Sequence, residues 1–348
     1  MGSVADLRKT TDQQFVNAGV GVFKVFAFDH RNTGRSTIKD WVDWDGLGWS
    51  PLSEQPPVTV PRDEPCTMED YADDAAALLE AVFPDRLPIF VMGVSFGAMV
   101  AQHMALRHPK LIKRLVLCCG PSGGPGGSAY PIQEWYEPSF SMEERVLRRM
   151  AQANSSRDAA WKERCKSEFE MVHTLLMRDE KVGLDEPLRQ QGIHRQLEAR
   201  RGHDTWARLP ELKMDTLVCG SPQDDITPVS LLEKLADRIG CERKLDFEEW
   251  KCCCPGEIRY RICVEKKLLG GHAFAAADAK CLPFINEWLR RWGHSTETSN
   301  GHSVIWKVVG GADKGGIIVR SGPGLSDELV KDRAAFPGDA FCPCGICG

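Results

Sequence analysis

Short apolar runs and amphipathic helical patterns alternate along much of this chain. The apolar runs have the length and the Val, Ile, Leu and Phe content of buried strands, and the stretches between them show helical spacing. The predicted strands are "GVFKVFAF" (21–28), "LPIFVMGV" (87–94), "KRLVLCCG" (113–120), "DTLVCG" (215–220) and "RKLDFEE" (243–249). The predicted helices cover residues 67–83, the stretch from Ser95 to His108, residues near 228–239 and residues 281–292. This alternation predicts an α/β fold with a mostly parallel sheet.

Residues 128–208 interrupt the alternation with a charged, tryptophan-containing and mostly helical block. We call this block the helical segment and predict that it is a cap inserted into one crossover. The main domain is predicted to span residues 1–293. A polar linker (294–303) and a C-terminal segment (304–348) follow, and the segment is predicted to hold a short β-hairpin and a cysteine-rich tail.

Composition and charge argue against several classes of function. The 348 residues carry a formal net charge of −5, which provides no electrostatic attraction to nucleic acid or to an anionic membrane. The longest apolar stretch, near residues 89–101, is too short to span a bilayer. The first residues contain no apolar signal sequence. We therefore expect a cytoplasmic protein that binds neither nucleic acid nor membrane, and the sequence leaves its oligomeric state open.

The cysteine count is high, with 14 in the chain, but their placement does not suggest a metal site. Cys118, Cys119 and Cys219 lie in strand-like runs and are expected in the core. Two clusters remain, at residues 252–254 and in the terminal "CPCGICG". A structural zinc site needs about four ligands, and neither cluster alone supplies them at workable spacing. We expect no metal and no cofactor.

The sequence "GVSFG" (93–97) places a serine between two glycines, directly after an apolar strand and before a helical pattern. It has two interpretations. It is either a tight strand-to-helix turn or a nucleophile elbow, in which a strained turn exposes the Ser95 hydroxyl. The flanking strand and helix are the context that the second interpretation requires. In such a turn the backbone N–H of Phe96 can point at a developing oxyanion.

A serine nucleophile needs a base, and the base needs an acid that orients it. His272 lies in the glycine-flanked loop "LLGGHAF", and Asp224 lies in "VCGSPQDDITP" after a buried strand. Polar groups at the carboxyl ends of parallel strands meet at one edge of the sheet. Asp225 is the rival acid, and an aspartate before "ITP" could instead cap the following helix. We predict Asp224, because its spacing to Ile226 fits an acid loop better.

Five sequence pieces together resemble the α/β-hydrolase superfamily, in the group of esterases, enol-lactonases and cofactor-free haloperoxidase-like proteins. They cover roughly residues 22–292 in family order and are "FDHRNTGRS", "TMEDYADDAAALL", "VMGVSFGAMVAQHMALRHP", "QLEARRGHDTWARLPELKMDTLVCGSPQDDITP" and "GGHAF". The resemblance implies a serine hydrolase for small carboxylic esters or lactones. In it, Ser95, His272 and Asp224 would be nucleophile, base and orienting acid, and Phe96 would provide an oxyanion donor. Acyl transfer or perhydrolysis with the same residues stays open.

The sequence departs from the family pattern in two places. Relatives carry an earlier strand with a His-Gly loop that provides a second oxyanion donor, and no histidine precedes His30 here. This predicts that the opening strands are missing, as in an N-terminally truncated protein. In addition, residues 250–269 read as an anomalous insertion before His272. The alternative hypothesis is therefore a catalytically impaired relic or a binding protein.

Overall fold

The computed structural model describes residues 25–26, 28, 30–31, 66–85, 87–137, 139–181, 189–240, 262–265, 270–273, 275, 280–291, 305–310 and 316–320. The predicted strand at 243–249, the linker at 294–303 and the cysteine-rich tail lie outside these residues. So do the N-terminal residues before 25 and most of the predicted insertion at 250–269.

Among the described residues, seven strands form one sheet in the order β1-β6-β2-β3-β4-β5, with β7 paired to β6 outside this order. All pairings along the order are parallel, and β7 runs antiparallel to β6. The predicted α/β class with a parallel sheet is confirmed. The strands are β1 (Val25–Phe26), β2 (Ile89–Ser95), β3 (Ile112–Cys118), β4 (Asp215–Cys219), β5 (Ile262–Glu265), β6 (Ile305–Gly310) and β7 (Gly316–Arg320).

The helices of the sheet domain begin and end close to the predicted residues. Thr67 caps the first of them through a capping box with Asp70, because each side chain accepts a hydrogen bond from the other residue's backbone N–H. Ser141 and Glu144 form the same box in the helical segment. The helices are α1 (Met68–Val82), α2 (Phe96–Arg107), α3 (Met142–Ala153), α4 (Trp161–Arg164), α5 (Lys166–Lys181), α6 (Arg189–Arg201), α7 (Val229–Ile239) and α8 (Cys281–Arg291).

Alternate side chains of the central strands serve opposite faces of the sheet, as the twofold period of a strand requires. On one face, Ile89, Val91, Leu115 and Leu117 join the main core cluster, to which α1, α2 and α7 contribute. On the other face, the buried Arg114 donates a hydrogen bond of 2.9 Å to a backbone carbonyl of α8 and lies over the ring of an α8 tryptophan. The sheet is therefore covered on both sides, as parallel sheets generally are.

The strand beside β4 arises from a part of the sequence not predicted to form one. β5 lies within residues 250–269, the predicted insertion, and pairs with β4 from Thr216 to Cys219. Ile262 and Val264 are β-branched residues, which favour strands. The sequence analysis assigned residues 250–269 to an insertion because of their poor fit to the family pattern, and it did not consider a strand there.

Strand β6 lies between β1 and β2, although it comes from the other end of the chain. It pairs with β2 from Phe90 to Ser95, and the register places Gly310 opposite Ser95. The sequence analysis expected the opening strands of the sheet to be missing. The structure shows that side paired by residues from the C-terminal segment.

Within the residues that the structure describes, every helix is too short or too polar to cross a membrane.

Candidate active site

Ser95 occupies a strained turn between β2 and α2. Its φ of 55° and ψ of −121° lie in a region that residues with a side chain rarely adopt. Gly93 and Gly97 make this turn possible, because a Cβ on Gly93 would lie 2.4 Å from the Gly97 carbonyl oxygen and 2.5 Å from the Cα of Ala98. The strand and helix approach so closely that a side chain has no space between them. The turn thus has the geometry expected of a nucleophile elbow.

Asp224 lies in the loop after β4 and is held there by backbone hydrogen bonds. Its Oδ1 accepts from the backbone N–H groups of Ile226 and Thr227, each at 2.9 Å. These bonds direct Oδ2 toward His272, and the side chain is fully buried. Asp225, the rival acid, is exposed. The loop therefore turns Asp224, and not its neighbour, into the site.

His272 connects the other two residues. It lies in a single 3-10 turn, Gly271–Ala273, where its Nδ1 is 2.9 Å from Oδ2 of Asp224 and its Nε2 is 2.8 Å from Oγ of Ser95. The imidazole is 14% exposed. The structure thus brings together the three residues that the sequence analysis singled out, in one hydrogen-bonded chain.

The charge state of these three hydrogen-bonded residues depends mainly on the pKa of His272. Burial alone would lower the pKa of its imidazole, but the adjacent Asp224 carboxylate outweighs burial and raises that pKa well above 6.5. Cys119 directly follows β3, and its Sγ is 3.7 Å from the backbone oxygen of His272. Burial raises the pKa of the Cys119 thiol, so this side chain is a neutral neighbour of the site.

Phe96 begins α2 directly after Ser95 and is fully buried. The first N–H groups of a helix have no partner within the helix and carry its positive dipole end. The Phe96 ring packs edge-to-face on Tyr71, at 5.1 Å between centroids, and on His30, at 5.9 Å. These ring contacts fix the first residue of α2, directly after Ser95.

Residues 12–251, more than half of the chain, match the alpha/beta hydrolase fold family. The chain belongs to this family. The resemblance found in the sequence is thereby confirmed.

Among curated proteins, this alpha/beta hydrolase is similar to 2-hydroxymuconate semialdehyde hydrolase of Pseudomonas sp. strain CF600. The two are 33% identical over 93 residues, which is 25% of this chain and 30% of that protein. The matched region therefore spans less than a third of the curated relative.

Solved structures of alpha/beta hydrolases also resemble the chain. An esterase from Thermogutta terrifontis, solved with malate bound, is 19% identical, with 76% of this chain and 78% of that chain covered and a TM-score of 0.45. The enol-lactonase from Burkholderia xenovorans is 15% identical, with 75% and 78% covered and a TM-score of 0.47. Identities this low do not identify a substrate.

The aromatic residues of the helical segment are mainly core residues in this alpha/beta hydrolase. The sequence analysis considered Trp135, Tyr136, Trp161, Phe169 and Met171 as candidates to line an apolar substrate site. Trp135 packs in a small core cluster and Trp161 in another, with Phe169 against it. Met171 is 57% exposed. Packing within the segment accounts for the two tryptophans and the phenylalanine, and the side chain of Tyr136 lies outside the described part of the chain.

One group of three potential metal ligands occurs among the described residues of this alpha/beta hydrolase. It consists of Cys119, Asp224 and His272, whose ligand atoms all lie within 4.8 Å of one another. Both oxygens of Asp224 and both ring nitrogens of His272 are already engaged in hydrogen bonds. The thiol is also neutral. We therefore assign these residues to the hydrogen-bonded chain and no metal to the site.

Three residues that support the alpha/beta hydrolase site were missed from the sequence. Cys119 touches His272, Gln223 accepts a hydrogen bond from Gly270, and Gly271 packs against the end of α3. Each contact joins loops that are distant in sequence, so local patterns could not reveal them. The glycine pair before His272 was the one available signal, because consecutive glycines mark a backbone in tight surroundings.

Proposed function

We propose that this protein is a serine hydrolase that acts on small carboxylic esters or lactones through an acyl-enzyme. The observation that carries the proposal is the hydrogen-bonded chain, with 2.8 Å from Ser95 Oγ to His272 Nε2 and 2.9 Å from His272 Nδ1 to Asp224 Oδ2. A nucleophile, a base and an orienting acid in this order are the elements of acyl transfer to serine. Membership of the alpha/beta hydrolase fold family is consistent with this chemistry.

The residues would take the following roles. Ser95 Oγ attacks the carbonyl carbon while Nε2 of His272 accepts its proton, and collapse of the tetrahedral intermediate expels the alcohol, which takes that proton. A water molecule, deprotonated by His272, then attacks the acyl-enzyme, and the acid is released as Ser95 regains a proton. Asp224 keeps the Nδ1 proton of His272 in place and stabilises the imidazolium. For a lactone, the leaving hydroxyl stays attached to the acyl group.

The backbone N–H of Phe96 is the proposed oxyanion donor. It follows the nucleophile directly and belongs to the positive end of α2. The buried rings of Tyr71 and His30 beside Phe96 limit the solvent that could compete for this N–H. In a site of low polarity, such a donor contributes more to transition-state stabilisation than it would in water.

The parts of the chain around the sheet also receive proposed roles. We propose that the helical segment acts as a cap over the site, since the end of α3 contacts the turn that carries His272. Residues 1–293 would form most of the hydrolase domain, and the C-terminal hairpin after the linker would complete its sheet beside β2. The hairpin proposal is supported by the antiparallel pairing of β6 with β7.

A fluorophosphonate probe tests the proposal on the whole chain. We expect intact mass to show one adduct on the wild-type protein and none on Ser95→Ala, because only an activated serine reacts with this probe. A folded wild-type protein that stays unlabelled would overturn the hydrolase proposal and favour the relic or binding hypothesis.

Substrates follow from a screen of short p-nitrophenyl esters and small lactones. The compound in the curated relative's name, 2-hydroxymuconate semialdehyde, belongs in the same screen. We expect turnover of esters or lactones to disappear in Ser95→Ala. Turnover of the semialdehyde alone would replace the proposed substrate class.

A further inference from the structure

We infer that Gln223 is a positioning residue that fixes His272 and couples it to the helical segment. The inference rests on the proposed function for its effect on catalysis, but its effect on His272 can be measured separately. Gln223 precedes Asp224 in the loop after β4 and is half-buried.

Gln223 joins three parts of the chain that meet at the site. Its side-chain Oε1 accepts a hydrogen bond of 2.8 Å from the backbone N–H of Gly270, two residues before His272. Its backbone oxygen accepts a hydrogen bond of 2.8 Å from Ser155, just after α3. Because Gln223 is adjacent to Asp224 in sequence, both hydrogen bonds also connect to the loop that carries Asp224. Gln223 therefore links the loop that carries Asp224, the turn that carries His272 and the residues just after α3 in the helical segment.

The turn that carries His272 also rests directly on the helical segment. Gly271 has a φ of +64°, and a Cβ there would lie 2.0 Å from the carbonyl oxygen of Ala153 and 2.8 Å from the Cα of Asn154. Asn154 is buried, and its Oδ1 holds the backbone N–H of Ser156 at 3.0 Å. Backbone contact on one side and the Gln223 hydrogen bond on the other thus confine a turn of only three residues.

The fixed position of this turn matters because His272 must keep a hydrogen bond at each ring nitrogen, with Asp224 at Nδ1 and with Ser95 at Nε2. Displacement of a reacting group by about 1 Å typically costs about 100-fold in rate. Without the Gln223 acceptor, the Gly270–Gly271 segment keeps only its contact with the end of α3. The imidazole of His272 can then move away from Asp224. A weaker contact with this carboxylate also lowers the pKa of His272 toward 6.5.

The test compares Gln223→Met, which keeps the length but has no acceptor oxygen, with Gln223→Glu, which keeps an acceptor for Gly270. We expect Gln223→Met to lower kcat by about 10- to 100-fold with little change in KM, and to shift the acid limb of the pH–rate profile to lower pH. Gln223→Glu should stay within a few-fold of wild type. If Gln223→Met does not fold, Gln223→Asn replaces it, because its amide is too short to reach Gly270.

Gln102→Met is the matched control. Gln102 is a buried glutamine that donates to the carbonyls of Gly120 and Pro121 and accepts from Thr205, none of which belongs to the His272 turn. We expect this variant to lose thermal stability and to keep the acid limb of wild type. An equal shift of that limb in Gln102→Met and Gln223→Met would show a general structural effect and would overturn the inference.

The imidazole C–H signal of His272, assigned with His272→Gln, is a readout that needs no turnover. We expect its titration midpoint to fall in Gln223→Met and not to fall in Gln223→Glu, whose added carboxylate acts in the opposite direction. An unshifted midpoint with unchanged kcat would overturn the inference. A shifted midpoint in a protein that does not react with fluorophosphonate would support Gln223 as a positioning residue and would overturn the proposed function alone.

Discussion

At the scale of single residues, local turn chemistry explains why the candidate site could be found in the sequence. The turn at Ser95 needs a small residue two positions away on each side, so the motif around it is visible in a few letters. Asp224 and His272 each follow glycine-containing loops after apolar runs. Gln223 and Cys119 escaped notice because their contacts with the His272 turn depend on how the chain folds back, which local sequence does not record.

Replacing Gly93 tests the close approach of β2 and α2. Gly93→Ala should lower the free energy of unfolding by about 1–3 kcal/mol, because its methyl group would meet backbone atoms that cannot move aside. Urea unfolding measures the effect, and fluorophosphonate labelling should slow in parallel. Gly202→Ala is the matched control, since its Cβ would meet only the Ala199 oxygen at 3.7 Å. Equal stability of the two variants would contradict the crowded turn.

The pKa of His272 predicts the pH dependence of hydrolysis. In the proposed mechanism the neutral imidazole is the base, and Asp224 raises its pKa well above 6.5, so kcat/KM should rise with pH through a pKa on the alkaline side of 6.5. Asp224→Asn removes the carboxylate and should move this limb to lower pH while the rate falls by roughly 10⁴-fold, the loss typical of this substitution in a Ser-His-Asp triad. If the acid limb of the pH–rate profile stays at the same pH in this variant, Asp224 is not the carboxylate that raises the pKa of His272.

At the scale of elements, helices were predicted better than strand pairing. Helix ends are set by capping residues close in sequence, such as Thr67 with Asp70, and the observed boundaries agree closely. The partners of a parallel strand are distant in sequence, so β5 and the place of β6 could not be read from apolar runs. The sequence showed which segments could be strands but not their order.

The position of β6 predicts a large effect of C-terminal truncation. β6 pairs with β2 along residues 90–95, and the described part of β1 pairs with β6. A chain ending at residue 303 would leave one edge of β2 without its partner, which exposes backbone groups that need hydrogen bonds. We expect a lower melting temperature and loss of fluorophosphonate labelling in that chain. A chain ending at residue 322 keeps both strands and should match the full-length protein, so similar loss in both would contradict a special role of β6.

At the scale of the whole molecule, three buried histidines link stability to pH. Burial lowers the pKa of His30 to about 3, of His103 to about 4 and of His203 to about 3. His203 donates from Nε2 to the Pro121 carbonyl and so accepts from His103 at 3.1 Å, which requires a neutral ring. The Glu69 carboxylate, 3.2 Å from Nδ1 of His103, favours protonation there, so His30 and His203 carry the larger part of the effect.

The sign of this linkage follows from the unfolded chain, which binds protons at these histidines near pH 6.5. The contribution of these histidines to the free energy of unfolding is fully present only above pH 6.5, so this free energy should fall as pH decreases from 6.5 toward 4. The pKa of His272 is raised in the folded protein, so its contribution to the free energy of unfolding is fully present below pH 6.5. This contribution therefore does not change between pH 6.5 and 4. Urea unfolding at several pH values measures the slope, and His203→Gln should flatten it. A flat wild-type profile between pH 7.5 and 4 would contradict the prediction.

The insertion of β6 beside β2 also bears on how this protein is made. Gly310 pairs with Ser95 across more than half of the chain's length. A growing polypeptide on the ribosome can form α1, β2 and α2 early, but it cannot pair the free side of β2 until residues 305–310 have emerged. Contacts of such long range slow folding and leave partly folded chains open to aggregation. Completion of the serine site therefore waits for β6, which leaves chaperones a long interval to act.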